Sequence, residues 1–136
     1  KFNVRSHLVM SSNGTVTLQF DAPFSGIYTL VLSLSGDQGG DEPVRVEVTD
    51  GRRVIPVEVK ESGETDKMVA FRLGKGTRQI DISFLNDFYV KDEIDRNLHV
   101  HHVKVSGVEQ RSQFVSSPDL PVTHRVLLFE TPGNVL

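Results

Sequence analysis

The sequence predicts an all-β fold, an antiparallel β-sandwich with a jelly roll preferred, and three observations predict it. Apolar residues recur with period two, as in Val16, Leu18 and Phe20 against Thr17 and Gln19, or Ile80, Ile82 and Phe84 against Asp81 and Ser83. Alternation of this kind marks strands with one buried face, because successive side chains of a strand point to opposite sides. The runs are short and are separated by turn-forming clusters at Ser12-Asn13-Gly14, Pro23 to Gly26, Gly36 to Pro43, Asp50-Gly51, Ser62-Gly63 and Gly74 to Gly76. No segment longer than about ten residues carries a helical period.

In chain order the strand candidates are Phe2 to Val9, Val16 to Phe20, Ile27 to Ser35, Val44 to Thr49, Val54 to Val59, Met68 to Leu73, Ile80 to Phe84, Leu98 to Ser106 and Val122 to Glu130. Asp50-Gly51 is the strongest hairpin signal, since a type I′ turn needs positive φ at both central residues. Alternation fails once: Leu98, Val100 and His102 share one parity, Val103 and Val105 the other, which predicts a bulge or change of face near His101 to Val103. After Gly107 the stretch Val108 to Asp119 is polar and prolyl. The expected organisation is therefore a sandwich over residues 1–107, then a linker and a C-terminal strand or junction to a following domain over 108–136.

At 136 residues the chain is long enough to bury one core without covalent staples. Its net charge of -3, with both signs interspersed, leaves no basic stripe to neutralise a phosphate backbone, so no nucleic acid partner is expected. No apolar run approaches the length needed to cross a bilayer, so no membrane insertion is expected. The first residue is Lys1 and no export leader precedes it, which reads as a domain of a longer, processed parent with other domains. The lack of cysteine excludes disulfides, thiolate metal sites and covalent haem attachment within these residues.

Ligand chemistry concentrates between two strand candidates. Asn86, Asp87, Asp92, Glu93, Asp95 and Asn97 place six carboxylate or amide side chains in twelve positions. Calcium is a hard cation that takes about 6–8 oxygen ligands from carboxylates, amides and backbone carbonyls of one irregular loop. Several like charges confined between strands repel one another, and Lys91 and Arg96 do not neutralise them all, whereas a divalent cation would. The spacing is not that of an EF-hand, which needs acceptors at alternating positions and a glycine at the sixth. Asp87 and Asp95 are expected as the principal side-chain ligands, with Asp92 and carbonyls between Phe88 and Ile94 completing the shell. Asn86 and Asn97 are weaker ligand candidates, because Asn side chains also satisfy loop backbone groups.

Other constellations carry less. His99 and His101 lie two apart on a strand candidate, and His102 follows; imidazoles so placed can converge on zinc or copper, but no third or fourth ligand is evident. The simpler expectation is that His99 and His101 are exposed and His102 partly buried. A glycosidase needs two carboxyl groups across a scissile bond, one raised in pKa by an apolar setting. Carboxylates held ionised by a cation are unsuited to that work, and no enzymatic activity is expected. Gly36 to Gly40 lacks the glycine spacing and following helix of a phosphate loop. Arg45, Arg52 and Arg53 read as exposed charges able to contact an acidic polysaccharide.

The string Phe84-Leu85-Asn86-Asp87-Phe88-Tyr89, followed by Asp95-Arg96-Asn97-Leu98-His99-Val100 and a strand ending at Gly107, resembles the signature of calcium-dependent, xylan-binding-type carbohydrate-binding modules of families 36 and 60. The run from Leu34 to Val48, including Gly36-Asp37-Gln38-Gly39-Gly40-Asp41-Glu42, is similar to the variant found in large bacterial multidomain proteins with cytochrome-c-type segments. The tail Leu120 to Arg125 resembles the junction that follows the module there. The resemblance implies an extracytoplasmic β-sandwich (periplasmic, cell-surface or secreted) whose loop Ca2+ contacts vicinal hydroxyls of a polysaccharide, xylan-like or an acidic glycan. Carried over by position, Asp87 and Asp95 would be ligands, while Gln38, Asp41 and Glu42 would add polar contacts from the same end. Phe88 and Tyr89 could flank one sugar ring, and Phe88 reads at least as well as a residue folding inward to pin the loop. With no Trp and only Tyr28 and Tyr89, a broad aromatic platform is not expected. His99, His101 and His102 depart from the family, where tyrosine or aspartate is frequent, so the contact expected at His101 is altered here. The rival reading is a sandwich in which calcium only stiffens a loop and the surface meets another protein or domain.

Overall fold

The computed structural model describes residues 2–4, 8–109, 120–121 and 127–131, with side chains over 8–109. Among the described residues there are twelve strands and no helix: β1 Phe2–Val4, β2 Leu8–Met10, β3 Gly14–Ala22, β4 Gly26–Asp37, β5 Val44–Thr49, β6 Val54–Val59, β7 Thr65–Leu73, β8 Gly76–Phe84, β9 Phe88–Val90, β10 Ile94–Glu109, β11 Leu120–Pro121 and β12 Leu127–Thr131. One sheet has β10 at its centre, with the path β1-β10-β4-β7 and with β2, β9 and β11 also paired to β10. The other runs β12-β3-β8-β5-β6. All pairings are antiparallel. From β3 to β8 the chain changes sheet at every connection except the β5–β6 hairpin, so neither sheet could form alone from consecutive strands.

The two sheets close over one core. Val16, Leu18 and Phe20 of β3, Val44, Val46 and Val48 of β5, and Ile80, Ile82 and Phe84 of β8 supply one inner face. Opposite them lie Tyr28, Leu30, Leu32 and Leu34 of β4, with Leu98, Val100, Val103 and Val105 of β10. Each fully buried large aliphatic or aromatic side chain contributes about 1.5–3 kcal/mol, so the period-two pattern fixes which face of every strand turns inward. Tyr28 belongs to this core; its hydroxyl donates to the Phe24 carbonyl, which answers the one polar group the ring carries inside.

The expected bulge is present. The pairing of β10 with β4 shifts register between Val100 and His102, so His101 is the extra residue, and Val103 and Val105 turn inward after Leu98 and Val100. Three expectations need correction. Asp50-Gly51 does not form a two-residue type I′ turn: Thr49 pairs with Val54, so the loop holds Asp50 to Arg53, and only Gly51 of that pair has positive φ. The reason is local, because Asp50 Oδ1 accepts N–H bonds from both Arg52 and Arg53 at 2.9 Å and so holds the longer loop. Phe88–Val90 is a strand, not irregular loop; three residues are too few to show alternation. β10 starts at Ile94 and runs through Gly107 to Glu109, where Val108 and Glu109 pair with Ile27 and Gly26. Within the expected strand Phe2 to Val9, residues 5–7 lie outside the described ones, as do 122–126 of the expected Val122 to Glu130. β12 pairs with β3 along the edge of the second sheet.

Burial pushes the Asp50 carboxyl up, but the N–H bonds from Arg53 and Arg52 and the Arg52 charge outweigh it and hold the pKa below the usual value. A depressed folded pKa stabilises the fold above the unfolded pKa of about 3.9 and loses that contribution as pH falls through the folded value. Asp50→Ala should therefore cost about 0.5–1 kcal/mol in urea unfolding near neutral pH. The gap from wild type should shrink in acid, whereas a gap independent of pH would contradict the assignment.

Candidate metal centre

The acidic segment is bolted to the second sheet before it begins. Leu85 donates its N–H to the Arg45 carbonyl (3.1 Å). The Asn86 side chain then bridges the β5 entry: Nδ2 donates to the Pro43 carbonyl at 2.8 Å and Oδ1 accepts from the Arg45 N–H at 2.8 Å. The Asp87 N–H donates to Asn13 Oδ1 at 2.7 Å. Asn86 thus spends its oxygen on backbone, in the manner of an Asx turn.

From Phe88 the chain folds back on itself as a hairpin. Phe88 pairs with Arg96, Tyr89 with Asp95 and Val90 with Ile94. Lys91, Asp92 and Glu93 form the turn, closed by the Glu93 N–H on the Val90 carbonyl (2.9 Å), and Asp92 takes positive φ (64°). Asp92 and Glu93 are exposed at the tip, whereas Asp87 and Asp95 sit at the base, close enough for their charges to interact.

Arg96 locks this hairpin to the loop after β4. Its side chain is only 5% exposed. Nε donates to the Gly39 carbonyl and Nη1 to the Asn86 carbonyl, both at 2.8 Å, while the guanidinium lies 5.2 Å from the Phe88 ring centroid. A cation over an aromatic face adds roughly 0.5–2 kcal/mol. Gly39 touches backbone: a Cβ there would stand 2.7 Å from Ile94 Cγ2 and 2.9 Å from the Asp95 carbonyl carbon. Gly40, with φ of +81°, would bring a Cβ to 2.8 Å from Arg96 Nη2. The glycines serve close approach to the hairpin, and this places Gln38, Asp41 and Glu42 at the same end as Asp87 and Asp95.

Among the described residues, two buried side-chain oxygens at this end lack partners. Asp87 Oδ1 and Asn97 Oδ1 are buried without a hydrogen bond. Burial raises the Asp87 pKa and the Asp95 charge raises it further, against smaller opposing effects from the Phe88 N–H and the Arg96 charge. A buried acceptor left unpaired costs about 1–3 kcal/mol. An oxygen-seeking cation beside Asp87 and Asp95 would remove both penalties, so the residues present fit calcium. Among the described residues no three His, Asp or Glu side chains are grouped to hold an ion by themselves. Backbone carbonyls or ligand oxygens would have to share the shell.

The remaining site candidates are distributed as follows. Gln38 is exposed, its Nε2 donating to the Gly36 and Val59 carbonyls at 2.9 and 3.2 Å. Asp41 is exposed; Glu42 is exposed beside Asn86 Nδ2 (3.5 Å) and Arg45 (3.8 Å). Phe88 is 41% and Tyr89 63% exposed, the first with one face given to Arg96. Asn97 donates through Nδ2 to Asp37 Oδ2 (2.9 Å), which also meets His99 Nε2 (3.1 Å). Burial opposes but does not outweigh these contacts, and the Asp37 pKa is lowered. His101 Nε2 bonds Ser35 Oγ at 2.7 Å, and its ring stacks on His99 at 6.1 Å between centroids. His99 and His101 are half-buried, contrary to the exposed placement expected, because Asp37 and Ser35 of β4 draw both rings onto the sheet. Sequence reasoning missed Arg96, Asp37 and Asn13 as parts of the site. Arg96 stood within the Asp95-Arg96-Asn97-Leu98 string, but read only as a counter-charge.

Residues 29–117 match the family model described as CBM60, Ca-dependent carbohydrate-binding module, xylan-binding. No curated protein matches the chain. The matched span covers most of the chain and contains both loops joined by Arg96. A family of this kind binds carbohydrate and does not catalyse its cleavage. The chain belongs to the calcium-dependent, xylan-binding family 60 of carbohydrate-binding modules.

Proposed function

We propose that the base of the β9–β10 hairpin is the carbohydrate site, with Asp87 and Asp95 as the side-chain ligands of a calcium ion and hairpin carbonyls and sugar hydroxyls completing the shell. The observation that carries this reading is the buried, unpartnered Oδ1 of Asp87, a carboxyl that also feels the charge of Asp95. Bound calcium would supply a point of attraction for vicinal hydroxyls without requiring an aromatic platform. Asn97, two positions from Asp95, carries the other buried side-chain oxygen without a partner among the described residues; Asn86 acts as a brace. Asp92, at the exposed hairpin tip, would join only by a movement of the turn. Phe88 holds Arg96 with one face, leaving Tyr89 as the more accessible ring for a sugar. Glu42 and Asp41 present acceptors from the neighbouring loop, and Gln38 supports that loop. His101 would shape the sheet surface beside the site through Ser35 and His99. The chain would act as an extracytoplasmic tether of a larger protein to xylan-like polysaccharide.

Isothermal titration of chelator-treated protein should detect calcium, with affinity reduced at least about tenfold in Asp87→Ala and in Asp95→Ala. Xylan retention in affinity gels should vanish with chelator and in both variants; calcium binding unaltered by both would overturn the ligand assignment. Thermal stabilisation by calcium with no xylan retained would instead leave the metal structural. Arg96→Ala should cost about 3 kcal/mol or more in urea unfolding, because two charge-assisted hydrogen bonds are lost in a buried setting. Arg96→Lys should recover little, since one ammonium lacks the fork that reaches both carbonyls. Full stability in Arg96→Lys would contradict that role.

A further inference from the structure

The end of the sandwich opposite the acidic hairpin has a different chemistry. The hairpin lies where β4 and β8 end and β5 begins; at the far end, where β4 and β8 begin and β5 and β7 end, are two adjoining clefts of about 580 and 320 Å³. Both are lined by Asp50, Arg52, Arg72, Leu73 and Gly74; Arg53 lines the larger and Arg78 the smaller. Four arginines and one carboxylate therefore line the two clefts in a chain whose net charge is -3, with Arg53 Nη1 donating to the Ala70 carbonyl at 3.4 Å. Asp50 is already engaged, its Oδ1 accepting the N–H groups of Arg52 and Arg53. Arg78 is braced by an Nη2 bond to the Lys75 carbonyl (2.9 Å), yet its Nε is buried without a partner. Phe71 and Leu73 lie beneath the larger cleft, their side chains buried in the core.

We propose that these clefts form a second glycan site, selective for carboxylate-bearing sugars of an acidic polysaccharide and independent of calcium. Guanidinium forks match a carboxylate with two parallel N–H bonds, and their fixed plane makes that match more selective than a lone ammonium would be. The volumes lie in the range of small-ligand clefts. Sites at both ends of one sandwich would let a single module engage two stretches of polymer, raising avidity without any change at either site.

Affinity electrophoresis in chelator, with polygalacturonate in the gel, tests this apart from the metal centre. Wild type and Asp87→Ala should both be retarded, and the Arg52→Ala/Arg72→Ala double variant should bind about tenfold more weakly. Both arginines are exposed, and an unchanged thermal midpoint checks the fold. If the double variant were to melt early, Arg53→Ala alone should still weaken retention. Dextran sulfate should be retained less than polygalacturonate at equal charge and ionic strength. No retardation by polygalacturonate in chelator, retardation unchanged in the arginine variants, or equal retention of dextran sulfate would each overturn the proposal.

Discussion

The guanidinium of Arg96 is the contact on which the acidic-hairpin end of the sandwich depends. It is a buried cation whose partners are carbonyls, Gly39 on one loop and Asn86 on another, with the Phe88 ring against its plane. A charge removed from water is costly unless its donors are met, so the three segments must stay together for Arg96 to remain inside. This constraint explains why the loop after β4 carries two glycines where it meets the hairpin: side chains there would strike Ile94, the Asp95 backbone or Arg96 itself. It also explains why Asp87 and Asp95 stay close despite their mutual repulsion.

The electrostatic pattern follows from that arrangement. Asn86 and Asp37 are both committed to protein partners, Asn86 to backbone and Asp37 to Asn97 and His99. Their oxygens are satisfied, and the Asp37 pKa is lowered accordingly. Asp87 is the opposite case, with an unanswered oxygen and a raised pKa. The distinction between brace and ligand is thus one of satisfied against unsatisfied acceptors. Among the described residues, Asp87, Asp92, Glu93 and Asp95 gather around Arg96 at the hairpin end, whereas Arg52, Arg53, Arg72 and Arg78 gather around Asp50 at the other.

Much of the fold was legible because the inner face of each long strand is written in period two: β3, β5 and β8 could be placed from alternation alone, and the parity break at His101 located the bulge. The short strand β9 was not legible. Phe88, Tyr89 and Val90 do not alternate in polarity, and their pairing with Ile94 to Arg96 is set by Arg96 reaching across the molecule to Gly39. For the site, the density of oxygen donors and the Asn86-Asp87 and Asp95-Arg96-Asn97-Leu98 strings led to the calcium-dependent family now matched over residues 29–117. Which donors are free could not be read in advance, because that depends on Asn13, Pro43 and Arg45, distant in sequence from the acidic segment. The half-burial of His99 and His101 was hidden for the same reason, since Asp37 and Ser35 reach them from β4.

The central claim is that the unsatisfied oxygen of Asp87 marks a metal position completed by sugar. Anomalous diffraction from a crystal grown with calcium tests it most directly. The predicted result is one ion about 2.3–2.6 Å from oxygens of both Asp87 and Asp95, with at least one coordination position open to solvent. An ion bound elsewhere, or a shell at this position closed entirely by protein oxygens, would contradict it.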